Sequence, residues 1–325
     1  MKTLLPSKEK KLMPDKFERD VLRGLAAFPK KMLSKYLYDD RGSRIFEEIM
    51  DLPEYYPAKC EMEIFENYKN KIFEFSFQQG RHLDVIDLGA GNGVKAMALI
   101  DYFLPRTELK YIPVDISDKS LEKLKITLSQ RYPTLKVKAL SLEYIKGLEL
   151  LKHKTKPKLV LFLGSNIGNC TYREALHFLN RAQKALNKDD LLLIGFDLMK
   201  DPAIIMSAYN DSQGVTQKFN LNILTRINHE LGGNFNLANF LYYPSYNPLT
   251  GEMQSFLISK KKQEVTIEKL HKRFTLMKLE TIHTENSNKF NLDMVEELAE
   301  RAGFKIEANF CDSKEYFLDS LWRVM

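Results

Sequence analysis

The strongest constraint on this chain is an alternation that begins near residue 82. HLDVIDLGAG (82–91), KYIPVDIS (110–117), LKVKAL (135–140), KLVLFLGS (158–165) and DDLLLIGFDL (189–198) are short apolar runs, each the length of a buried strand. Segments of helical period separate them. DKSLEKLKITLSQRY (118–132) puts Leu121, Leu124 and Leu128 on one face, with Ser117 as its N-cap. REALHFLNRAQKAL (173–186) does the same with Leu176, Leu179, Ala182 and Leu186. Strand and helix alternating in this way predict an α/β fold on a parallel, doubly wound sheet. After Asp197 the alternation stops. Residues 198–289 mix a helical portion with strand-like runs, NFLYYPSY (239–246), MQSFLISK (253–260) and QEVTIE (263–268), and read as an α+β insertion. The end returns to the first style. Asn291 caps a helix with Leu292, Val295, Leu298 and Ala302 on its apolar face, Gly303 ends it, and FKIEANF and YFLDSLWRV read as two strands.

Charge and cysteine usage exclude several classes. Lys and Arg number 49 against 43 Asp and Glu, a net charge of +6. The basic clusters, KEKK near the start, KHKTKPK at 152–158 and KKK at 260–262, are short and lack interleaved aromatics. They read as solvated loops, so no nucleic-acid partner is expected. Cys60, Cys170 and Cys311 are scattered, with no CxxC pair, which rules out a disulfide framework and a cysteine-rich zinc site. The histidines at 82, 153, 177, 229, 271 and 283 show no ligand spacing, and no metal is expected. No run reaches the ~18 apolar residues of a membrane helix, and the N-terminus has no apolar stretch of signal-peptide length. A cytoplasmic protein with no membrane partner is expected, working as a monomer.

Three motifs carry chemistry. DLGAGNGVK (87–95) places glycines directly after a buried strand, where backbone can approach a ligand and the next helix opens. Gly89-x-Gly91-x-Gly93 is shorter than the dinucleotide GxGxxG spacing and suits S-adenosylmethionine, which has no pyrophosphate to cradle. Asp115 ends the next strand, where an acid can accept both ribose hydroxyls of a nucleoside; it could equally cap the following helix. FLGSNIGNCT (162–171) follows the fourth strand with small residues and two amides, Asn166 and Asn169, at the edge where open parallel sheets bind ligands.

A closing helix and hairpin on such a sheet resembles the habit of Rossmann-like class I methyltransferases. The likeness becomes specific in the order and spacing of LPEYYP (52–57), DLGAGNGVK, VDIS (114–117), FLGSNIGN (162–169), FDLMKDP (196–202), AYND (208–211), GVTQKFNLNIL (214–224) and HTENSNKF (283–290). From about residue 20 to the C-terminus the chain resembles the histidine Nα-methyltransferase family of ergothioneine biosynthesis. The resemblance implies a Rossmann-like catalytic domain at 60–197 and 290–325. It implies a substrate domain at 1–59 and 198–289, with a free amino acid held between the two. S-adenosylmethionine would be contacted by Gly89, Lys95, Asp115 and the pair Glu143–Tyr144, where the family usually has Asp–Phe. Lys95 would meet its methionyl carboxylate.

By the same resemblance Asn169 and Tyr209 would bind the substrate carboxylate. Gly164 and, through a water, Tyr38 would lie near its amine, and Tyr55, Glu285 and Ser287 would hydrogen-bond an imidazole. Asn169 and Tyr38 are the expected catalytic pair, Asn169 orienting the amine lone pair and Tyr38 marking the proton's exit. Ser255 stands where the family can carry a Met against the imidazole, with Met253 two residues away on the same strand face. The reaction expected is methylation of histidine to its trimethylated betaine, hercynine. The alternatives are another free amino acid such as tryptophan, a nucleic-acid or protein methyltransferase, or a binding module that keeps the fold without catalysis.

Overall fold

The computed structural model describes residues 15–77, 82–152 and 156–325. The KEKK cluster and part of KHKTKPK, His153 included, lie outside these residues. The strand His82–Leu88 is buried from its second residue on and pairs in parallel with Glu108–Asp115 on one side and Lys158–Phe162 on the other. Leu191–Asp197, buried at every position, extends the sheet beyond Lys158–Phe162. Such continuous apolar runs belong to strands covered on both faces, and two separate clusters of buried side chains fill those faces. The C-terminal strand Phe317–Val324 lies antiparallel against Leu191–Asp197, and Phe304–Cys311 closes that edge. Counted along the chain, the strands lie in the order six, seven, five, four, one, two, three. This is the Rossmann-like class I arrangement.

The expected third strand is interrupted. Lys136–Val137 and Leu140–Ser141 pair separately with Glu108–Asp115. It lies at the sheet edge with one neighbour, so an unbroken ladder is not required of it. Ser117 caps its helix as expected, accepting from the Ser120 N–H at 3.2 Å, and Asn291 caps Leu292–Arg301, accepting from Met294 at 2.8 Å. Val295, Leu298 and Ala302 are buried, but Leu292 is half exposed. As the first helical residue it projects before the helix meets the sheet.

The insertion builds a second sheet with strand order Lys30–Lys31, Thr281–Asn286, Glu252–Ser259, Phe240–Asn247. The N-terminal segment thus supplies a strand to the insertion's sheet, pairing Lys30 with Ile282 and Lys31 with His283. The helices Lys16–Ala26, Asp40–Asp51 and Val215–Leu231 cover this sheet around one apolar cluster that includes Val21, Leu25, Ile45, Ile223 and Ile227. A hairpin, Gln263–Ile267 with Lys272–Leu276, stands beside it. Neither Lys272–Leu276 nor Thr281–Asn286 is evident as a strand in the sequence, because each is short and rich in charged or polar residues. The helix Tyr56–Ser76, opened by Pro57 in its first turn, runs across the boundary expected at residue 60 and packs on the large sheet.

Candidate active site

The sheet's chain order reverses between His82–Leu88 and Lys158–Phe162, so a crevice opens where the two strands end. The glycine loop leaves one strand and FLGSNIGN leaves the other. Gly89, Gly91 and Gly93 all have positive φ, at 80°, 53° and 72°. A Cβ at Gly89 would lie 2.8 Å from the Tyr144 hydroxyl and 3.3 Å from the Asn166 amide. Only glycine lets this backbone form its floor. Asp115 accepts from the Gly91 N–H at 3.1 Å and from the Ser117 N–H at 2.9 Å, one on each carboxylate oxygen. Tyr144 packs edge-on against Phe162 at 5.5 Å. Lys95 forms an ion pair with Glu61, and its amine would be 2.8 Å from a Cβ at Gly164, so it lies between the two loops. Glu143 is half exposed and paired with Lys16, whose hydrogen bond holds its carboxyl below the usual range. The structure brings Gly89, Lys95, Asp115 and Tyr144 together around the crevice and turns Glu143 toward the N-terminal helix.

These residues fit S-adenosylmethionine. A Cβ at Gly89 would intrude on the glycine cradle, Asp115 has spare lone pairs for ribose hydroxyls, and Lys95 offers an ammonium to a carboxylate. Among the described residues, no group of three or more His, Cys, Asp or Glu could hold a metal ion, and no helix is long and apolar enough to cross a membrane.

Beside the crevice is a cavity lined by Tyr38, Tyr55, Gly164, Asn169, Tyr209, Glu285 and Ser287, with Phe46, Phe219 and Asp197. All seven residues expected at the amino-acid end are therefore brought together. Tyr38 packs edge-on against Phe46 and Phe219, at 5.3 and 5.1 Å. Burial holds the phenols of Tyr38, Tyr55 and Tyr209 well above their ordinary pKa. The Gly164 N–H donates to Glu61 at 2.7 Å. The FLGSNIGN loop is latched to the far end of the insertion, with the Asn288 N–H donating to the Gly168 carbonyl at 2.8 Å. A Cβ at Gly168 would meet the Asn288 carbonyl at 2.7 Å, so the latch needs glycine.

Glu285 lies directly across the strand pair from Ser255. Burial pushes its carboxyl up to about 7, against the pull of the Lys289 charge. Among the described residues nothing donates a hydrogen bond to that carboxylate, although Glu285 is only 7% exposed. An ionisable group so buried and unpartnered marks a binding position. Ser255 and Met253 are buried on one strand face, and the Ser255 hydroxyl meets Tyr242 at 3.2 Å. Neither lines the cavity.

Sequence reasoning missed the charges in and behind the cavity wall. Asp197 pairs with Lys289 at 2.7 Å and Lys200 at 2.5 Å, and accepts from Tyr56 at 2.8 Å. Burial would raise its carboxyl, but the two lysines hold it below the usual range. The signal was an acid ending an otherwise apolar strand. Glu61, fully buried, and Asp319, whose oxygens have no hydrogen-bond partner, were also missed. Burial first, then the Glu61 charge, hold the Asp319 carboxyl well above its ordinary pKa.

The model of the histidine-specific, SAM-dependent methyltransferases matches residues 17–324. The chain belongs to this family. The enzyme is 33% identical to a histidine N-alpha-methyltransferase of Mycolicibacterium smegmatis over 284 residues, 87% of each chain. It is 31% identical to that of Mycobacterium tuberculosis over 273 residues, 84% of each. A 4-dimethylallyltryptophan N-methyltransferase of Epichloe festucae var. lolii is 26% identical over 316 residues, 90% of each. The enzyme is an S-adenosylmethionine-dependent N-methyltransferase.

Proposed function

We propose that the enzyme methylates the α-amino group of free L-histidine, in successive transfers, to the trimethylated betaine. One observation carries this reading. A buried carboxylate with no hydrogen-bond donor among the described residues, Glu285, shares a cavity with Asn169 and Tyr209, and the cavity adjoins the glycine-loop crevice. A carboxylate facing an imidazole N–H makes a charge-assisted bond of about 1.5–3 kcal/mol. A side chain without that donor would leave Glu285 buried and unpaired, and such sites reject analogues strongly. Ser255 is engaged by Tyr242 outside the cavity, so it does not itself open room for a larger ring.

Gly89, Lys95, Asp115 and Tyr144 would hold S-adenosylmethionine; Glu143 would reach the adenine side on leaving its exposed pair with Lys16. When bound it supplies a methyl group on a good leaving group, so the protein needs no nucleophile of its own. Its residues position the amine. Asn169 and Tyr209 fix the substrate carboxylate, and Tyr55, Glu285 and Ser287 fix the ring. Gly164, its N–H held by Glu61, leaves the amine facing the crevice. Positioning of this kind supplies several kcal/mol of a displacement barrier. The amine must first lose a proton. Tyr38 cannot take it as a phenolate, because its phenol stays protonated across the working range; it serves as a hydrogen-bonding step toward water. Asn169 orients the lone pair. The aromatic walls of Tyr38, Phe46 and Phe219 suit a product that is permanently cationic. We assign residues 56–197 and 290–325 to the catalytic domain and 1–55 and 198–289 to the substrate domain, the first boundary moving from residue 60 to the start of the helix Tyr56–Ser76. A monomer in a reducing cytoplasm fits the three free cysteines.

Incubating the protein with S-adenosylmethionine and a mixture of free amino acids, then weighing the products by mass spectrometry, tests this. Histidine alone should gain one, two and three methyl groups. Preferential methylation of tryptophan would overturn the assignment of the ring pocket.

A further inference from the structure

Lys289 sits behind the amino-acid cavity, fully buried, and does not line it. A lysine ammonium has three N–H donors and no acceptor. All three are used here: Asp197 Oδ2 at 2.7 Å, Tyr209 Oη at 2.8 Å and Ser287 Oγ at 3.0 Å. Tyr209 and Ser287 therefore both accept from Lys289, and neither can donate to it. The two hydroxyls are also 2.5 Å from each other, so one of their protons lies in the bond between them. The pair owns two protons. The second has no place in the wall and points into the cavity.

Charge adds to this. Asp197 is shared by two buried lysines, Lys289 and Lys200. Asp197 itself reaches the cavity lining, but one carboxylate against two ammonium groups leaves a net positive charge at the Tyr209–Ser287 wall. Glu285 stands on the same cavity with the opposite sign.

We propose that Lys289 is a specificity-determining positioning residue: it locks Tyr209 and Ser287 as a single outward hydroxyl donor and gives that wall the positive charge that selects a ligand bearing an acceptor or anion there. The inference rests on the reading of this cavity as the amino-acid site and deepens it. Among the described residues the cavity lining contains no lysine or arginine, so the positive charge that favours a substrate carboxylate comes from one layer back. A lysine in the lining would itself compete for the transferred methyl; one whose three hydrogens are held in the wall does not.

A second consequence concerns Glu285. The groups that face it are the hydroxyls of Tyr38, Tyr55, Tyr209 and Tyr242 from the packed elements, Ser255 across the strand pair, and Lys289. Lys289 is the one whose charge holds the Glu285 carboxyl down. Its loss should move the pH at which histidine binding fails to higher values.

The test is calorimetric titration of histidine into protein saturated with S-adenosylhomocysteine, between pH 6 and 9. Lys289→Met and Lys289→Arg are compared with wild type. Wild type should bind histidine and lose affinity as pH falls through about 7. Lys289→Met should bind about 10- to 100-fold more weakly, with its midpoint moved upward and its affinity for S-adenosylhomocysteine unchanged. Lys289→Arg should keep the wild-type midpoint while losing affinity, because the charge survives and the three-way geometry does not. Lys289→Met matching wild type in affinity and midpoint overturns the proposal while leaving the function standing. Where Lys289→Met no longer folds, Lys289→Arg decides: a shifted midpoint there overturns it. Wild type that does not bind histidine at all brings down both readings.

Discussion

In the crevice, Asp115 gives both carboxylate oxygens to backbone N–H groups, and Glu143 meets Lys16 in solvent. In the adjoining cavity, Glu285 is buried with no hydrogen-bond donor among the described residues, and Asp197 holds two lysines out of water. The first region takes its geometry from strand ends and tight turns, which any chain with that sheet can form. The second takes it from side chains contributed by four separate stretches of sequence, at a cost in desolvation. Selectivity lies where that cost lies, because a buried charge is relieved only by the right ligand.

The largest way to break this contrast is Asp197→Ala. It leaves Lys289 and Lys200 buried without a counter-charge, and loss of one partner of a buried pair costs about 3–5 kcal/mol. Chemical denaturation should show a fall of that size, with an ordinary m-value. A loss under about 1 kcal/mol would mean that water reaches the cluster.

Glu285→Ala separates the two regions. Histidine kcat/KM should fall about 10- to 100-fold or more, while affinity for S-adenosylhomocysteine holds. Discrimination against tryptophan and phenylalanine should weaken, because no carboxylate is then left unpaired when they bind. If histidine keeps its full advantage, the ring-recognition role of Glu285 is wrong. Asp115→Ala is the mirror image: weaker S-adenosylhomocysteine binding by about 1.5–3 kcal/mol, read by calorimetry, with the thermal transition of a folded protein.

Glu285 also makes stability depend on pH. Its folded pKa of about 7 lies above the ordinary 4.5, so the folded state holds the proton more tightly. Stability therefore falls as pH rises from about 4.5 to 7 and stays low above that. Glu285→Gln should melt a few degrees higher than wild type at pH 8, with the gap closing toward pH 4. An equal gap at both pH values would show that packing, not charge, explains it. The smallest effect belongs to Lys16→Ala. Both partners of the Lys16–Glu143 pair are more than half exposed, so its loss should change stability by no more than about 0.5 kcal/mol. A larger drop in thermal melting would show that the N-terminal helix is held to the crevice by this pair.

The parallel sheet, the glycine loop and Asp115 were legible because each is local: an apolar run, a turn, an acid at a strand end. The seven cavity residues were reached through family resemblance, since a lone Tyr209 or Glu285 reads as ordinary core or surface. Asp197 and Lys289 were inside quoted motifs and still missed. Nothing in NKF shows that its lysine is buried, because its partner lies on a strand 92 positions earlier (289 − 197). Glu61 hid in the same way, on a helix whose KCEMEIFENYKNK pattern reads as an exposed polar face.

The strand Lys30–Lys31 is tied to Thr281–Asn286, and Lys30 reaches Glu280 across 250 positions of sequence at 2.6 Å. The apolar side chains of Lys16–Ala26 share one cluster with near neighbours, Met32, Tyr36 and Leu37, and with distant ones on Val215–Leu231 and Ile282. This helix can cover part of its apolar face locally, with Phe17 against Tyr36 at 4.7 Å, and completes it only when elements far along the chain arrive. Contacts this distant along the chain form slowly, and the large sheet can begin to order before them. The smaller sheet, which carries Glu285, is thus completed late, and the cavity wall it forms closes only after the large sheet has begun to order.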